Sequence, residues 1–178
     1  KENVGSQDQA AAAYGSLNHI HFYQDGSINP VPIVVHSQRM QELQDNLLMV
    51  FTGFSRTASE IAEEQIKNIP SRRDQLLKMN ELTTSAINIL QSPEHSIDDF
   101  GELMNEQWQV KKELSSKITS KGINAVYDAA ISAGAIGGKL LGAGSGGFML
   151  LYVNSFNRER VKQALNDKVI IDFQFENL

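Results

Sequence analysis

The chain has 178 residues, 41% of them hydrophobic and 21% charged, enough for one domain or a domain plus part of another around a sizeable core. A net charge of −5 and a sequence pI of about 5.4 speak against a nucleic-acid surface, since the one dense basic spot, Arg72-Arg73, has acidic neighbours. No cysteine is present, which excludes disulfides, thiolate catalysis and cysteine metal sites, and no apolar run reaches the roughly 18 residues of a membrane span. No secretory signal pattern opens the chain either, so the expectation is a cytoplasmic protein without nucleic-acid or membrane partners. Lys1 stands in polar sequence with no initiator methionine, which reads as a piece of something longer.

Gln7 to Ala13 is alanine-rich and predicts a short helix ended by Gly15. Leu17 to Tyr23 alternates like a strand, Asp25-Gly26 is a hairpin-type turn, and Pro30 to Val35 reads as an extended return. Leu47 to Thr52 is a buried-strand candidate closed by Gly53. Thr57-x-x-Glu60 is a capping box for a helix reaching about Asn68, and Pro70 stops it. Leu76, Met79, Leu82, Ala86 and Leu90 mark a second helix. Ser96-x-x-Asp99 starts a third, with Phe100, Leu103, Met104, Leu114 and Ile118 facing inward, Trp108 beside them as a core aromatic, and Gly122 as its end. Asp98-Asp99 suits the positive end of that helix as a solvated pair. Ile123 to Ile131 gives a fourth helix ended by Gly134, Arg158 to Asn166 a short one, and Val169 to Phe175 a closing strand. Helices in a run between a few strands argue for an α+β fold with an antiparallel sheet and helices on one side.

Six of the thirteen glycines lie between Gly137 and Gly147, followed by the apolar run Phe148 to Val153. Clustered glycine makes sense where φ > 0 is needed or another group approaches the backbone closely. The context is strand, glycine loop, strand. A Walker loop requires G-x-x-x-x-G-K-S/T opening a helix, whereas Lys139 precedes this loop; a dinucleotide fingerprint also requires a helix behind it. On spacing alone the stretch is either a tight connection between core strands or a loop that receives a ligand. His19 and His21, two apart on one strand face, have metal-compatible spacing but no visible third ligand; a surface histidine pair reads the same way, and His36 and His95 could join only through the fold.

Gly5-Ser-Gln-Asp-Gln9 taken together with Lys139-Leu-Leu-Gly-Ala-Gly-Ser-Gly-Gly147 resembles the GHMP small-molecule kinases. In that family a G-x-x-D-Q-like stretch carries an acid at the acceptor hydroxyl, and K-L-x-G-A-G-x-G-G is the third motif. Tyr14-Gly-Ser-Leu-Asn18, Phe51 to Glu60 and Gly137 to Leu141 look most like the D-glycero-D-manno-heptose 7-phosphate kinases among them. Ser145 stands where the family often has glycine, as does Ser16, and the family's phosphate-cradling loop upstream of the acid has no counterpart here. The resemblance therefore implies the C-terminal part of such a kinase: residues 1–36 a helix and hairpin left from the N-terminal kinase domain, and residues 37–178 the C-terminal domain with a ferredoxin-like antiparallel sheet. It further implies transfer of the ATP γ-phosphate to a sugar hydroxyl, with Mg²⁺, and places most of the nucleotide and metal site in the missing N-terminal domain.

On that reading Asp8 is the proton acceptor, with Gln7 and Gln9 beside it at the substrate. Without the resemblance Asp8 is a plain helix N-cap. Ser55 and Arg56 lie between a strand end and a helix start, a natural anion position where a guanidinium can grip a sugar phosphate; the alternative is a solvated arginine near Glu60. Gly142, Ala143, Gly144, Ser145, Gly146 and Gly147 form the glycine loop. Lys139 is expected to pack its stem or meet a helix-end acid rather than to touch phosphate. Two other classes fit the same residues: a non-catalytic α+β module whose loop binds a small ligand, and a dimerising scaffold. Uncovered apolar residues around Ile20 and Phe22 would favour association, including with a second copy.

Overall fold

The computed structural model of the chain describes residues 6–54, 58–142, 144 and 146–175, with only the backbone of residues 58–60. The capping residues Thr57 and Glu60 therefore lie outside the described side chains.

The first part is a helix and a hairpin, as the composition predicts. Helix α1 (Gln7–Tyr14) buries only Ala10, and Gly15 and Ser16 after it both take left-handed φ, 60° and 57°. Strands β1 (Asn18–Phe22) and β2 (Ile28–Pro32) pair antiparallel from Asn18↔Pro32 to Phe22↔Ile28. The turn closes on Asp25, whose carboxylate accepts from the Ser27 N–H at 2.9 Å and hydroxyl at 2.6 Å. This two-stranded sheet is separate from the main one, and Phe22, Tyr23, Ile28 and Val31 remain exposed on it.

Helix α2 (Ser37–Asn46) was not legible in the apolar pattern, because only Met40 and Leu43 turn inward. The Nδ1 of His36 caps it by accepting the Gln38 N–H at 3.3 Å. Next come β3 (Leu47–Phe51), α3 (Ala58–Asn68), a short 3-10 turn at Ile69–Ser71 containing Pro70, and α4 (Arg73–Gln91). The chain continues through α5 (Asp98–Glu113), α6 (Lys121–Ser132), β4 (Gly137–Leu140), β5 (Phe148–Tyr152), α7 (Arg158–Ala164) and β6 (Val169–Ile171).

The expectation that Gly122 ends the third helix is corrected. Helix α5 stops at Glu113, and Gly122 sits in the first turn of α6. Serines impose the break: the Ser115 hydroxyl donates to Glu64 at 2.5 Å and accepts from the Lys117 N–H, and the Ser120 hydroxyl caps α6 by accepting from the Ile123 N–H. Leu114 and Ile118 are buried as expected, although neither is helical. The closing strand is also shorter than Val169 to Phe175. Residues beyond Ile171 leave the ladder, and the Gln44 amide takes over, donating to the Phe173 carbonyl at 3.0 Å and accepting from the Phe175 N–H at 2.6 Å.

The main sheet has the order β4-β5-β3-β6 with every pair antiparallel. Strand, helices, two strands, helix, strand in that order is the ferredoxin-like arrangement. Leu48, Val50, Met149 and Leu151 share one face by register and enter the principal core with Ile61, Trp108, Ile123, Val126 and Val161 from α3, α5, α6 and α7. Burying side chains of this size contributes about 1.5–3 kcal/mol each. On the opposite face Leu47 and Tyr152 are covered by Leu43, Leu90 and Met104, whereas the cross-strand pair Phe51 and Phe148 is left 37% and 39% exposed with rings 5.3 Å apart. Helix α5 lies so close to β4 that a Cβ at Gly137 would sit 1.9 Å from the Gly101 carbonyl oxygen, so only glycine fits there.

Candidate functional site

The glycine loop joins β4 to β5 and is tied down on two sides. The Thr52 N–H and hydroxyl both donate to the Gly147 carbonyl, at 2.9 and 2.8 Å, and the Gly147 N–H donates to the Phe54 carbonyl at 2.8 Å. On its other flank a Cβ at Gly144 would press on the Ile118 backbone at 2.8 Å. Gly142, Gly144 and Gly147 have φ of 77°, 130° and 89°, which explains why glycine is clustered here. The loop's described glycines therefore present backbone held at both ends, with open space over Gly142 and Gly147.

Two lysines stand at its root. The Lys111 ammonium, from α5, donates to the Gly142 carbonyl at 2.7 Å, and Lys139, from β4, donates to the Gln107 side-chain oxygen at 3.1 Å. Burial pulls the Lys111 pKa down to about 8, helped by the positive charge of Lys139. Burial lowers that of Lys139 too. Of the two roles expected for Lys139, its stem is packed, and among the described residues its ammonium meets an amide rather than a helix-end acid. Lys111 went unnoticed in the sequence, and its spacing of four from Gln107 on α5 was the only available sign.

Asp8 lies in the first turn of α1, exposed, with Gln7 and Gln9 exposed beside it. It is not the N-cap; Ser6 holds that position, without a side-chain hydrogen bond. The neighbour of α1 is β1, and among the described residues Asp8 makes no hydrogen bond or ion pair. Ser55, Arg56, Ala143 and Ser145 lie outside the described residues. What is described is the approach to the first two, Thr52 to Phe54, which is bonded to the glycine loop.

Asp98 and Asp99 open α5 as expected, and Asp98 also accepts from the Tyr152 hydroxyl at 3.0 Å. The rings of His19 and His21 lie 4.0 Å apart, while His36 caps α2 and His95 pairs with Asp99 at 3.5 Å. Among the described residues no three His, Asp or Glu side chains gather so as to hold a metal ion. For phosphate oxygens the fit is better, since the loop offers open backbone and two cations. An open cleft of about 1380 Å³ lies elsewhere, between Leu17, Val35, Met40, Gln44 and Phe173, and none of the candidate residues lines it.

Residues 86–171 match the family described as GHMP kinases C terminal. The chain is 30% identical over 176 residues to D-glycero-alpha-D-manno-heptose 7-phosphate kinase of Campylobacter jejuni, a match covering 96% of this chain and 51% of that protein. It is 26% identical over 180 residues to a bifunctional fucokinase/GDP-fucose pyrophosphorylase of Arabidopsis thaliana, covering 97% of this chain and 17% of that protein. The chain thus spans about half the length of the first of these relatives and a smaller part of the second. Among solved structures, a D-glycero-D-manno-heptose 1-phosphate kinase from Bacteroides thetaiotaomicron superposes with a TM-score of 0.57 at 26% identity, over 97% of this chain and 46% of that one. L. major mevalonate kinase in complex with R-mevalonate superposes with a TM-score of 0.68 at 20% identity, over 90% and 47%, and this likeness concerns the fold. Residues 86–171, which carry the glycine loop and three of the four strands of the ferredoxin-like sheet, thus match a GHMP kinase C-terminal domain.

Proposed function

We propose that the chain is the C-terminal part of an ATP-dependent sugar kinase, and that the intact enzyme phosphorylates the anomeric hydroxyl of heptose 7-phosphate in nucleotide-activated heptose biosynthesis in the cytoplasm. The observation that carries this reading is the similarity to a heptose 7-phosphate kinase along 96% of the chain. The open glycine loop supports it. In the reaction the sugar oxygen forms a bond to the γ-phosphorus, the bond to the β-phosphate oxygen breaks, and ADP leaves. Asp8 takes the hydroxyl proton. Arg56, with Ser55, Gln7 and Gln9, holds the phosphorylated sugar. ATP and Mg²⁺ are held chiefly by the N-terminal domain, and Mg²⁺ supplies neutralisation of phosphate charge.

The experiment is ATP-dependent phosphorylation of heptose 7-phosphate by the full-length protein, by its Asp8→Asn variant and by residues 1–178 alone. The variant is expected to lose about 10²–10⁴-fold in kcat with ATP affinity little changed, the range for loss of a general base. Residues 1–178 alone are expected to be inactive, because phosphoryl transfer is mostly positioning and electrostatics. A variant as fast as wild type, or brisk turnover by residues 1–178, overturns the mechanism. A second reading, a non-catalytic module that binds a ligand or dimerises, draws on the exposure of Asp8 beside the hairpin and on the open Phe51–Phe148 pair. It predicts sugar-phosphate binding without turnover in the full-length protein.

A further inference from the structure

Lys111 and Lys139 bring two like charges into half-buried ground at the root of the glycine loop. Among the described residues neither forms an ion pair. Each ammonium carries three donors. Lys111 uses one on the Gly142 carbonyl and Lys139 one on the Gln107 amide oxygen, so donors remain on both. As packing elements they are a poor choice. Burying an unpaired charge is unfavourable, a second like charge adds repulsion, and an apolar side chain of similar length would serve the core better. Lys67 with Glu63 and Lys78 with Glu106, by contrast, each meet a carboxylate within 2.8 Å. What the Lys111–Lys139 arrangement lacks is an anion, and the open space beside it is over Gly142.

We propose that Lys111 and Lys139 form an oxyanion subsite that receives a phosphoryl group of a ligand lying on the glycine loop. The inference deepens the kinase reading above and rests on it in taking the loop as the ligand-facing surface. An oxyanion between the two ammonium groups would accept their remaining donors and offset their mutual repulsion. A nucleotide phosphate and the phosphate of a sugar share this chemistry, and the test separates them.

Inorganic phosphate, ATP and heptose 7-phosphate are titrated separately into the full-length protein by calorimetry, with Lys111→Met, Lys139→Met and, as control, Lys162→Met on α7. Wild type is expected to bind inorganic phosphate, and each of the first two variants to weaken it about tenfold to a hundredfold, the effect of losing a hydrogen bond to a charged group. The control is expected to leave it unchanged. Whichever of ATP and heptose 7-phosphate loses affinity in parallel is the source of the phosphoryl group. Absence of phosphate binding, equal binding by the methionine variants, or a loss confined to inorganic phosphate overturns the subsite. Should a methionine variant fail to fold, the wild type decides: added phosphate must shift the Lys111 and Lys139 ε-methylene NMR signals, and unmoved signals overturn the proposal. Binding is read without turnover, so an inactive enzyme that still binds through these lysines refutes the kinase reading alone.

Discussion

Thr52 holds Gly147 twice, its backbone N–H and its hydroxyl converging on one carbonyl oxygen at 2.9 and 2.8 Å. That contact fastens the end of β3 to the end of the glycine loop, and Thr52 is buried where water cannot replace it. The hydroxyl also accepts from the Phe54 N–H at 3.4 Å, so one side chain fixes both segments. Thr52→Val keeps the volume and the backbone bond but removes the hydroxyl. The expected loss is about 1–2 kcal/mol of unfolding free energy, measured by urea titration. An unchanged midpoint would show that the hydroxyl does not hold the loop.

Ser16 is the one non-glycine residue with positive φ among the described residues. A side chain in the left-handed region costs roughly 1–2 kcal/mol, which glycine avoids while gaining freedom in the unfolded chain. Ser16→Gly is therefore expected to stabilise the chain by about 0.5–1 kcal/mol, seen as a higher Tm. A fall in Tm would mean that the serine side chain makes a compensating contact.

The lysine pair sets a pH dependence of stability. In the unfolded chain Lys111 titrates near its ordinary 10.5, and in the fold near 8. Between these values the unfolded chain binds the proton that the folded chain has released, so unfolding free energy rises with pH. Below 8 both states are charged and the full burial penalty applies. Lys139 acts in the same direction. Tyr127, which burial pushes up to about 12, and Tyr152, which burial and the Asp98 carboxylate raise, act oppositely: above pH 10 the unfolded chain loses protons that the fold keeps, and stability falls. Urea unfolding between pH 8 and 9.5 should therefore show a rising slope that is smaller in Lys111→Met. Identical slopes would remove Lys111 as the cause.

Arg56→Ala in the full-length protein is expected to weaken heptose 7-phosphate binding by roughly 2–4 kcal/mol and ATP binding much less, if the guanidinium grips the sugar phosphate with two hydrogen bonds. Calorimetry with each ligand separates the cases. Equal losses place Arg56 outside the sugar site.

Much of the fold was written in local patterns. Leu47 to Phe51 and Phe148 to Tyr152 announce themselves as buried strands because every residue is apolar, and they do pair. Helix α3 follows from its capping box and Pro70, and α4 to α6 follow from their apolar periods. Helix α2 escaped because it buries little: its ten residues are mostly polar, and its place is set by Leu43 joining the cluster that holds Tyr152 and Met104. The break between α5 and α6 escaped because Ser115 is held by Glu64, a partner on another helix. The glycine loop was visible as a cluster, but its use of Thr52 was not, since that bond links residues distant in sequence. Beyond its spacing of four from Gln107, Lys111 carried no local mark; its meaning comes from a carbonyl and a second lysine that the fold brings beside it.

The register that sets Leu47 against Tyr152 also fixes an order of events. Strand β3 sits between β5 and β6, and both neighbours come from the last part of the chain. Contacts between distant segments are rewarded only after a large loop has closed, and synthesis delivers the early segments first. Leu47 to Phe51, five apolar residues in a row, therefore emerges from the ribosome with neither hydrogen-bonding edge paired. The helices α3 to α6 can form meanwhile, but the strand they are to cover has no sheet to join until Phe148 to Tyr152 has been made. Until then a nascent chain holds out a bare, aggregation-prone ribbon.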